Sequence, residues 1–377
     1  MKLDRQARAP GPTPIPPWSR RQFVQRAALG ATAMTLGAIP IPGRGAARAQ
    51  VPAASSEAFT AKAVYMNPLI SVTNDDFLYL VNMINQTELN ALVVDVKEVG
   101  VYVNSAVDLF RATNTVSPVL DAPGLLRTLD ADDIYAIARL VVFKDSAIAS
   151  ARPDLAVLDT ETGAPWVDYG DGLWLNPLNE EVWEAIASYA VELAELGFDE
   201  IQFDYVRFPS DGDLSTTDYG QEVDERIRAE AVVGFLGYCR ERLAPYAIAT
   251  AADVFGYTYL LDDIGIGQDA ARIAEVVDVV CPMTYPSHYP DGSMVVAGHP
   301  NDFPYETIAQ TLQIGSARVP ASRSRPWIQD FSLPGMREYG AEDVRAQINA
   351  CDDAGTAGWM VWDPNNVYHA DAFVSPA

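Results

Sequence analysis

Nine residues concentrate the chemistry this chain can offer: Ile201-Gln202-Phe203-Asp204-Tyr205-Val206-Arg207-Phe208-Pro209. They read as a short buried strand ending in a carboxylate and a guanidinium among aromatic rings, followed by the turn residues Ser210, Asp211 and Gly212. Other apolar runs also end in acids: Asp95 with Lys97 and Glu98, Asp253 after Thr250-Ala251-Ala252, Asp330 after Gln329, and Asp363 after Trp362. Carboxylates at the C-terminal ends of parallel strands suit chemistry at the mouth of an α/β barrel. A pair of them suits glycosidic bond cleavage, where one is ionised and its partner stays protonated.

Asp204 is the first candidate for nucleophile. Arg207 would hold it ionised and oriented, because a nearby guanidinium favours the charged form of a carboxyl; the bland alternative is a structural ion pair at a loop. Asp253, flanked by Ala252, Val254 and Phe255, is the candidate general acid, since desolvation favours a protonated carboxyl; its alternative is an Asp capping a loop. Asp95 and Lys97 form a charged pair that contacts substrate or is buried and structural. Tyr205, Trp174, Tyr285, His288, Trp362 and Asp363 complete the candidate substrate-binding set, aromatic rings being suited to stack on sugar faces. Trp166, Tyr169 and Trp174 lie in a long segment from Lys144 to about Asn179, where each ring either stacks on sugar or plugs its own loop.

The stretch IQFDYVRFP resembles the signature of a bacterial and archaeal family of glycosidase-like (β/α)8 barrels, a domain of unknown function. The likeness extends over Asn90-Ala91-Leu92-Val93-Val94-Asp95-Val96-Lys97, Val280-Cys281-Pro282-Met283-Thr284-Tyr285-Pro286 and Gly358-Trp359-Met360-Val361-Trp362-Asp363-Pro364-Asn365-Asn366. It implies glycosidase chemistry without naming a substrate. The pattern is also similar to the alpha-amylase-like retaining barrels. By that resemblance Asp330 would be a third carboxylate after the seventh strand, steadying the substrate hydroxyls or the distorted ring. The chain departs from it at Gln202, where that pattern has Arg, and at Asp253, where it has Glu. A chitinase-type strand-four motif is echoed by Phe198 to Asp204, but its Glu position is occupied here by Val206.

Something must position these groups. Apolar runs alternate with amphipathic segments, which signals βα units and a parallel sheet. The strands expected are Ala61–Met66, Ala91–Val96, Tyr135–Phe143, Glu200–Asp204, Ile248–Asp253, Val277–Thr284, Arg325–Phe331 and Gly358–Trp362. Eight strands with intervening helices give a single-domain α/β fold, a (β/α)8 TIM barrel over residues 61–377, after a short linker at 50–60.

The first 49 residues read as an export signal. Ser19-Arg20-Arg21-Gln22-Phe23-Val24 precedes an apolar run from Ala27 to Ile41 and the small-residue site Ala47-Arg48-Ala49, the layout of a twin-arginine signal peptide. The run is too short and too rich in Ala and Gly for a membrane span of roughly 20 residues. A periplasmic or extracellular destination is expected, with no stable span after cleavage. The whole chain carries a formal charge of −25. Its first 49 residues hold eight Lys or Arg and one Asp, which leaves −32 from Gln50 onward. Nucleic acid is therefore excluded as a general partner, since phosphate binding needs a basic footprint. A strongly anionic polysaccharide is disfavoured unless a local basic subsite intervenes. Cys239, Cys281 and Cys351 are far apart and in apolar surroundings, so they read as buried thiols. With three histidines and no HExxH, paired-Cys, phosphate-loop or Gly-x-Ser-x-Gly motif, neither a metal nor an organic cofactor is expected. The partner expected is a carbohydrate; the oligomeric state is not legible. The competing class is a catalytically silent barrel that binds cell-envelope glycan, distinguished by whether a second carboxyl faces Asp204 at about 5–5.5 Å (retaining) or 6.5–9.5 Å (inverting).

Overall fold

The computed structural model describes residues 54–69 and 74–374; the twin-arginine segment lies outside the described residues. Eight parallel strands close into a barrel: β1 (Ala61–Met66), β2 (Ala91–Lys97), β3 (Tyr135–Val141), β4 (Glu200–Asp204), β5 (Ala249–Phe255), β6 (Val279–Met283), β7 (Trp327–Gln329) and β8 (Gly358–Trp362). Each pairs with its sequence neighbour, and β8 closes the cylinder against β1, with Ala61 opposite Gly358 and Val64 opposite Val361. Closure depends on a glycine. Gly358 has φ +80, and a Cβ there would lie 1.9 Å from the carbonyl oxygen of Ala61.

Helices α1 (Asn74–Gln86), α2 (Ala122–Ala131), α3 (Glu180–Leu196), α4 (Glu225–Leu243), α5 (Ala270–Ile273), α6 (Pro304–Gly315) and α7 (Ala341–Ala354) make the crossovers. Their ends follow local chemistry. Asn179 accepts from the Glu181 N–H and Glu180 and Glu181 sit in the first turn of α3, which ends at Gly197 in the left-handed region (φ 105); the cap satisfies an orphan donor and the acids complement the helix dipole. Asp224 caps α4 through the Ile227 N–H.

The period-two alternation of the strands makes two cores. Outward residues such as Leu92, Val94, Ile201, Phe203 and Val254 pack under the helices. Inward residues such as Ala63, Val93, Ile137, Ala251, Cys281 and Met360 fill the barrel. Its floor holds a fully buried ion pair of Glu200 with Arg325, to which Tyr135 Oη adds a hydrogen bond at 3.2 Å. Arg325 also donates to the carbonyl of Ala58 (3.1 Å), in a 3-10 turn at Ser56–Phe59 that lies under the barrel. All three cysteines are buried free thiols. No helix of the described residues is long and apolar enough to cross a membrane.

The segment between β3 and α3 is tied to the loop after β4. A two-residue ribbon pairs Leu158–Asp159 with Thr217–Asp218, and Trp166 Nε1 donates to Asp213 O at 3.0 Å. Trp166 and Trp174 are buried (2% and 1% exposed) while Tyr169 is 78% exposed. Of the three rings, each expected either to stack on sugar or to plug its own loop, Trp166 and Trp174 are buried under the ribbon and Tyr169 is exposed.

Candidate active site

Inward side chains near the C-terminal ends of the strands form one ring at the barrel mouth. Tyr65 (β1), Asp95 (β2), Arg139 (β3), Asp204 (β4) and Asp253 (β5) supply a polar arc. Trp327 (β7) and Trp362 (β8), with Tyr285 after β6 and Phe331 after β7, supply an aromatic one. The Tyr285 ring lies 5.6 Å from that of Trp362, and Phe331 stands edge-on to Trp362 at 5.0 Å. His288 joins them, 5.5 Å from Tyr285, with Nδ1 3.0 Å from Ser287 Oγ. A mouth polar on one side and aromatic on the other can meet hydroxyl groups with one side and stack on a C–H-rich ring face with the other.

Arg139 is the hub of the polar arc. Its Nη1 donates to Asp95 Oδ1, and its Nη2 and Nε donate to Asp204 Oδ2, the latter at 3.1 Å. Nε also lies 3.9 Å from Asp253 Oδ2. The two carboxylate oxygens are thus no farther apart than those two distances laid end to end, short of most of the about 6.5–9.5 Å range of inverting pairs. The other Asp204 oxygen accepts the backbone N–H of Tyr205. Tyr205 reaches that geometry from the left-handed region (φ 50), a strained state for a bulky residue.

The remaining carboxyls are in different electrostatic states. Burial, reinforced by the charge of Asp204, holds Asp253 well above the usual carboxyl range, against the opposing pull of Arg139 and of the Trp327 indole. That indole donates to Asp253 Oδ1 at 2.7 Å; Oδ2 is buried and has no hydrogen-bond partner. Asp95 is pushed up to about 6 by burial, with Arg139 and the Tyr65 hydroxyl opposing. Tyr65 donates to Asp95 Oδ2.

Several expected contacts are otherwise arranged. Arg207 makes no ion pair with Asp204; its Nη1 donates to Phe208 O (3.0 Å) and Ser210 Oγ (3.2 Å). The reason is topology: Arg139 points inward from the neighbouring strand β3, opposite Gln202 and two residues below Asp204, and its long side chain reaches up to that carboxylate, whereas Arg207 lies past the turn. Lys97 does not pair with Asp95. It is fully buried, 2.7 Å from Asp145 Oδ2 and 2.9 Å from Val141 O, because an irregularity between Asp95 and Lys97 shifts the register. Trp174 donates its Nε1 to Asp168 Oδ2 at 3.0 Å and turns its ring to the Arg207 guanidinium and the Lys144 ammonium. Asp330 receives both the ring Nδ1 (2.6 Å) and backbone N–H (2.8 Å) of His369, lying on the opposite face of the chain from Trp327 and Phe331. Asp363 accepts the N–H groups of Asn365 (2.7 Å) and Val367 (3.0 Å), capping the turn after β8.

Arg139 and Tyr65 were not among the sequence candidates. A signal existed for Arg139: it is the one charged residue in the apolar run Tyr135–Phe143, at the parity of Tyr135 and Ile137. Tyr65 is indistinguishable by type from a core aromatic. Among the described residues, no group of three His, Cys, Asp or Glu is placed to hold a metal ion.

Comparison with curated proteins finds no match. Among solved structures, the chain is similar to the glycoside hydrolase domain of PgaB (BpsB) from Bordetella bronchiseptica, at 14% identity over 81% of this chain and 95% of the other, with TM-score 0.61. It is also similar to the spore cortex-lytic enzyme SleL of Bacillus megaterium, at 13% identity over 93% and 80%, with TM-score 0.52. A hypothetical protein from Ruminiclostridium thermocellum shares 32% identity over 51% of this chain and 97% of the other, with TM-score 0.46. The first two likenesses establish a shared barrel fold. Residues 63–368 match a family model described as "Putative glycosyl hydrolase domain", and the chain belongs to that glycosyl hydrolase family.

Proposed function

We propose that this protein is an exported glycoside hydrolase that cleaves an oligo- or polysaccharide by a two-carboxylate, retaining mechanism. The observation that carries the reading is the guanidinium of Arg139, which gathers Asp204 and Asp253 at one point of the barrel mouth. Asp204 attacks the anomeric carbon as its bond to the leaving oxygen breaks, and the proton of Asp253 passes to that oxygen. Water then displaces Asp204 from the glycosyl carbon and returns a proton to Asp253. The environments are split as these roles need: Asp204 accepts two hydrogen bonds from Arg139 and one from the Tyr205 amide, whereas Asp253 is buried and kept neutral with one oxygen uncommitted. Tyr285, Trp362 and His288 line the sugar-binding side, and Asp330 keeps an indirect part by fixing His369. The twin-arginine signal supports a periplasmic or extracellular site of action.

The test is hydrolysis of a broad glycan panel by the chain from Gln50 onward beside its Asp204→Asn variant, with proton NMR following the anomer released. Turnover that falls by at least about three orders of magnitude in the variant supports the assignment. Turnover that survives removes Asp204 from the role, and binding without turnover in either protein favours a glycan-binding barrel.

A further inference from the structure

Among the described residues, Arg207 has no carboxylate counter-ion, and neither its Nε nor its Nη2 has a hydrogen-bond partner. It is 6% exposed. Three rings surround its guanidinium, at 4.6 Å (Phe255), 4.7 Å (Trp174) and 5.1 Å (Tyr205) from their centroids. Burial lowers its pKa, with Tyr205, Asp204, Asp211 and Asp168 acting in the other direction. Cation–ring contacts offset part of the cost of such burial, but an unpaired buried charge remains expensive. Packing alone does not demand one: a methionine would fill the three-ring slot at lower cost. The location is also specific. Tyr205 follows Asp204, and the charge of Asp204 acts on the guanidinium, so Arg207 stands near the proposed nucleophile.

We propose that Arg207 is the anion-recognition residue of the cleft, binding a carboxylate, sulfate or phosphate substituent on the glycan through its two unfilled nitrogens. This rests on the glycosidase reading and narrows its substrate class. A guanidinium fork is the side chain best matched to such groups, taking them by two parallel charge-assisted hydrogen bonds. The ring cage fixes the fork in advance, so little side-chain freedom is lost on binding. Here is the local basic subsite that would let so acidic a protein accept an acidic sugar. Lys144, whose Nζ stands 5.7 Å from the Trp174 and Tyr205 ring centroids, does not compete for the role because Asp168 holds it at 2.8 Å.

The test reads binding, so it does not depend on turnover. The Nε–H resonance of Arg207 in nitrogen-15-labelled protein is assigned by its loss in Arg207→Lys. It is then titrated at matched ionic strength with D-glucuronate, glucose 6-sulfate, glucose 6-phosphate and D-glucose. The expected result is saturable displacement of that resonance by at least one anionic sugar, with an affinity at least tenfold above that for glucose. The anion that binds names the substituent. In Arg207→Met the advantage of the anionic sugar, measured by calorimetry, should vanish, provided the thermal transition shows the variant folded; if it does not, Arg207→Lys should still bind anions, more weakly. Absence of saturable binding by all three anions, or an anionic advantage that persists in folded Arg207→Met, overturns the proposal. Failure of the glycan panel with anion binding intact would sink the hydrolase reading and leave this one standing.

Discussion

Replacing Asp95 by Asn should make the protein's stability less dependent on pH, by an amount that follows from its burial. Asp95 is fully buried and its carboxyl titrates near 6 in the folded chain, against about 3.9 in an unfolded one. A raised folded value means the native state holds the proton more tightly. The associated stability is complete below about pH 3.9 and is lost as pH rises through about 6. The gap of two units corresponds to about 3 kcal/mol at 1.36 kcal/mol per unit. Roughly half of that falls between pH 5 and 7.5, above the sequence pI of about 4.3, where solubility permits the measurement. Asparagine can still accept from Arg139 Nη1 but cannot ionise. Urea unfolding of both proteins at pH 5, 6, 7 and 7.5 should therefore show the variant gaining on the native protein by about 1–2 kcal/mol across that interval. A difference that stays flat with pH would mean that Asp95 is ionised throughout, and that Tyr65 and Arg139 outweigh its burial.

Other substitutions probe the same ring. Trp327→Phe removes the donor that partly offsets the burial of Asp253, so the alkaline limb of the kcat/KM profile should move to higher pH; an unmoved or lowered limb would remove Asp253 from the acid role. Arg139→Gln should lower kcat/KM by at least about a hundredfold, an electrostatic loss of the size seen when one preorganised donor is removed; a variant within a few-fold of the native rate would end the case for Arg139 as the hub. At the floor, Arg325→Met strands the carboxyl of Glu200 and should cost about 3–5 kcal/mol in chemical denaturation, with a near-neutral result showing that Glu200 simply takes a proton. Asp330→Asn weakens the hold on His369, so amide exchange at residues 365–369 should quicken while turnover falls only severalfold; a loss near that of Asp204→Asn would restore a direct catalytic part.

Much of the scaffold was legible because barrel strands leave long apolar runs between helix caps. Ala61–Met66, Glu200–Asp204 and Gly358–Trp362 were bounded to the residue. Strand β7 is shorter than its apolar run, three residues instead of Arg325–Phe331, because Arg325 turns to the floor and Gln329 leads into a loop. The level of Asp204 and Asp253 was readable from strand ends alone. What was not readable is which charge meets which. A guanidinium three positions beyond a strand end looks closer in sequence than one 65 residues earlier, yet the barrel places Arg139 of β3 beside β4. Acids directly after an inward aromatic, such as Asp363 after Trp362, face away from the axis and are consumed by turns. Parity along the strand, more than proximity to its end, separates the groups that line the mouth from those that hold its loops.

The role of Asp204 as nucleophile is tested most directly by trapping the intermediate. An activated 2-deoxy-2-fluoro glycoside of the sugar identified by the panel slows release of the glycosyl enzyme, and peptide mass mapping then locates the adduct. One glycosyl unit on the peptide containing Asp204, absent from Asp204→Asn, is the predicted result. An adduct on another carboxylate, or turnover with inversion and no adduct, would contradict the mechanism.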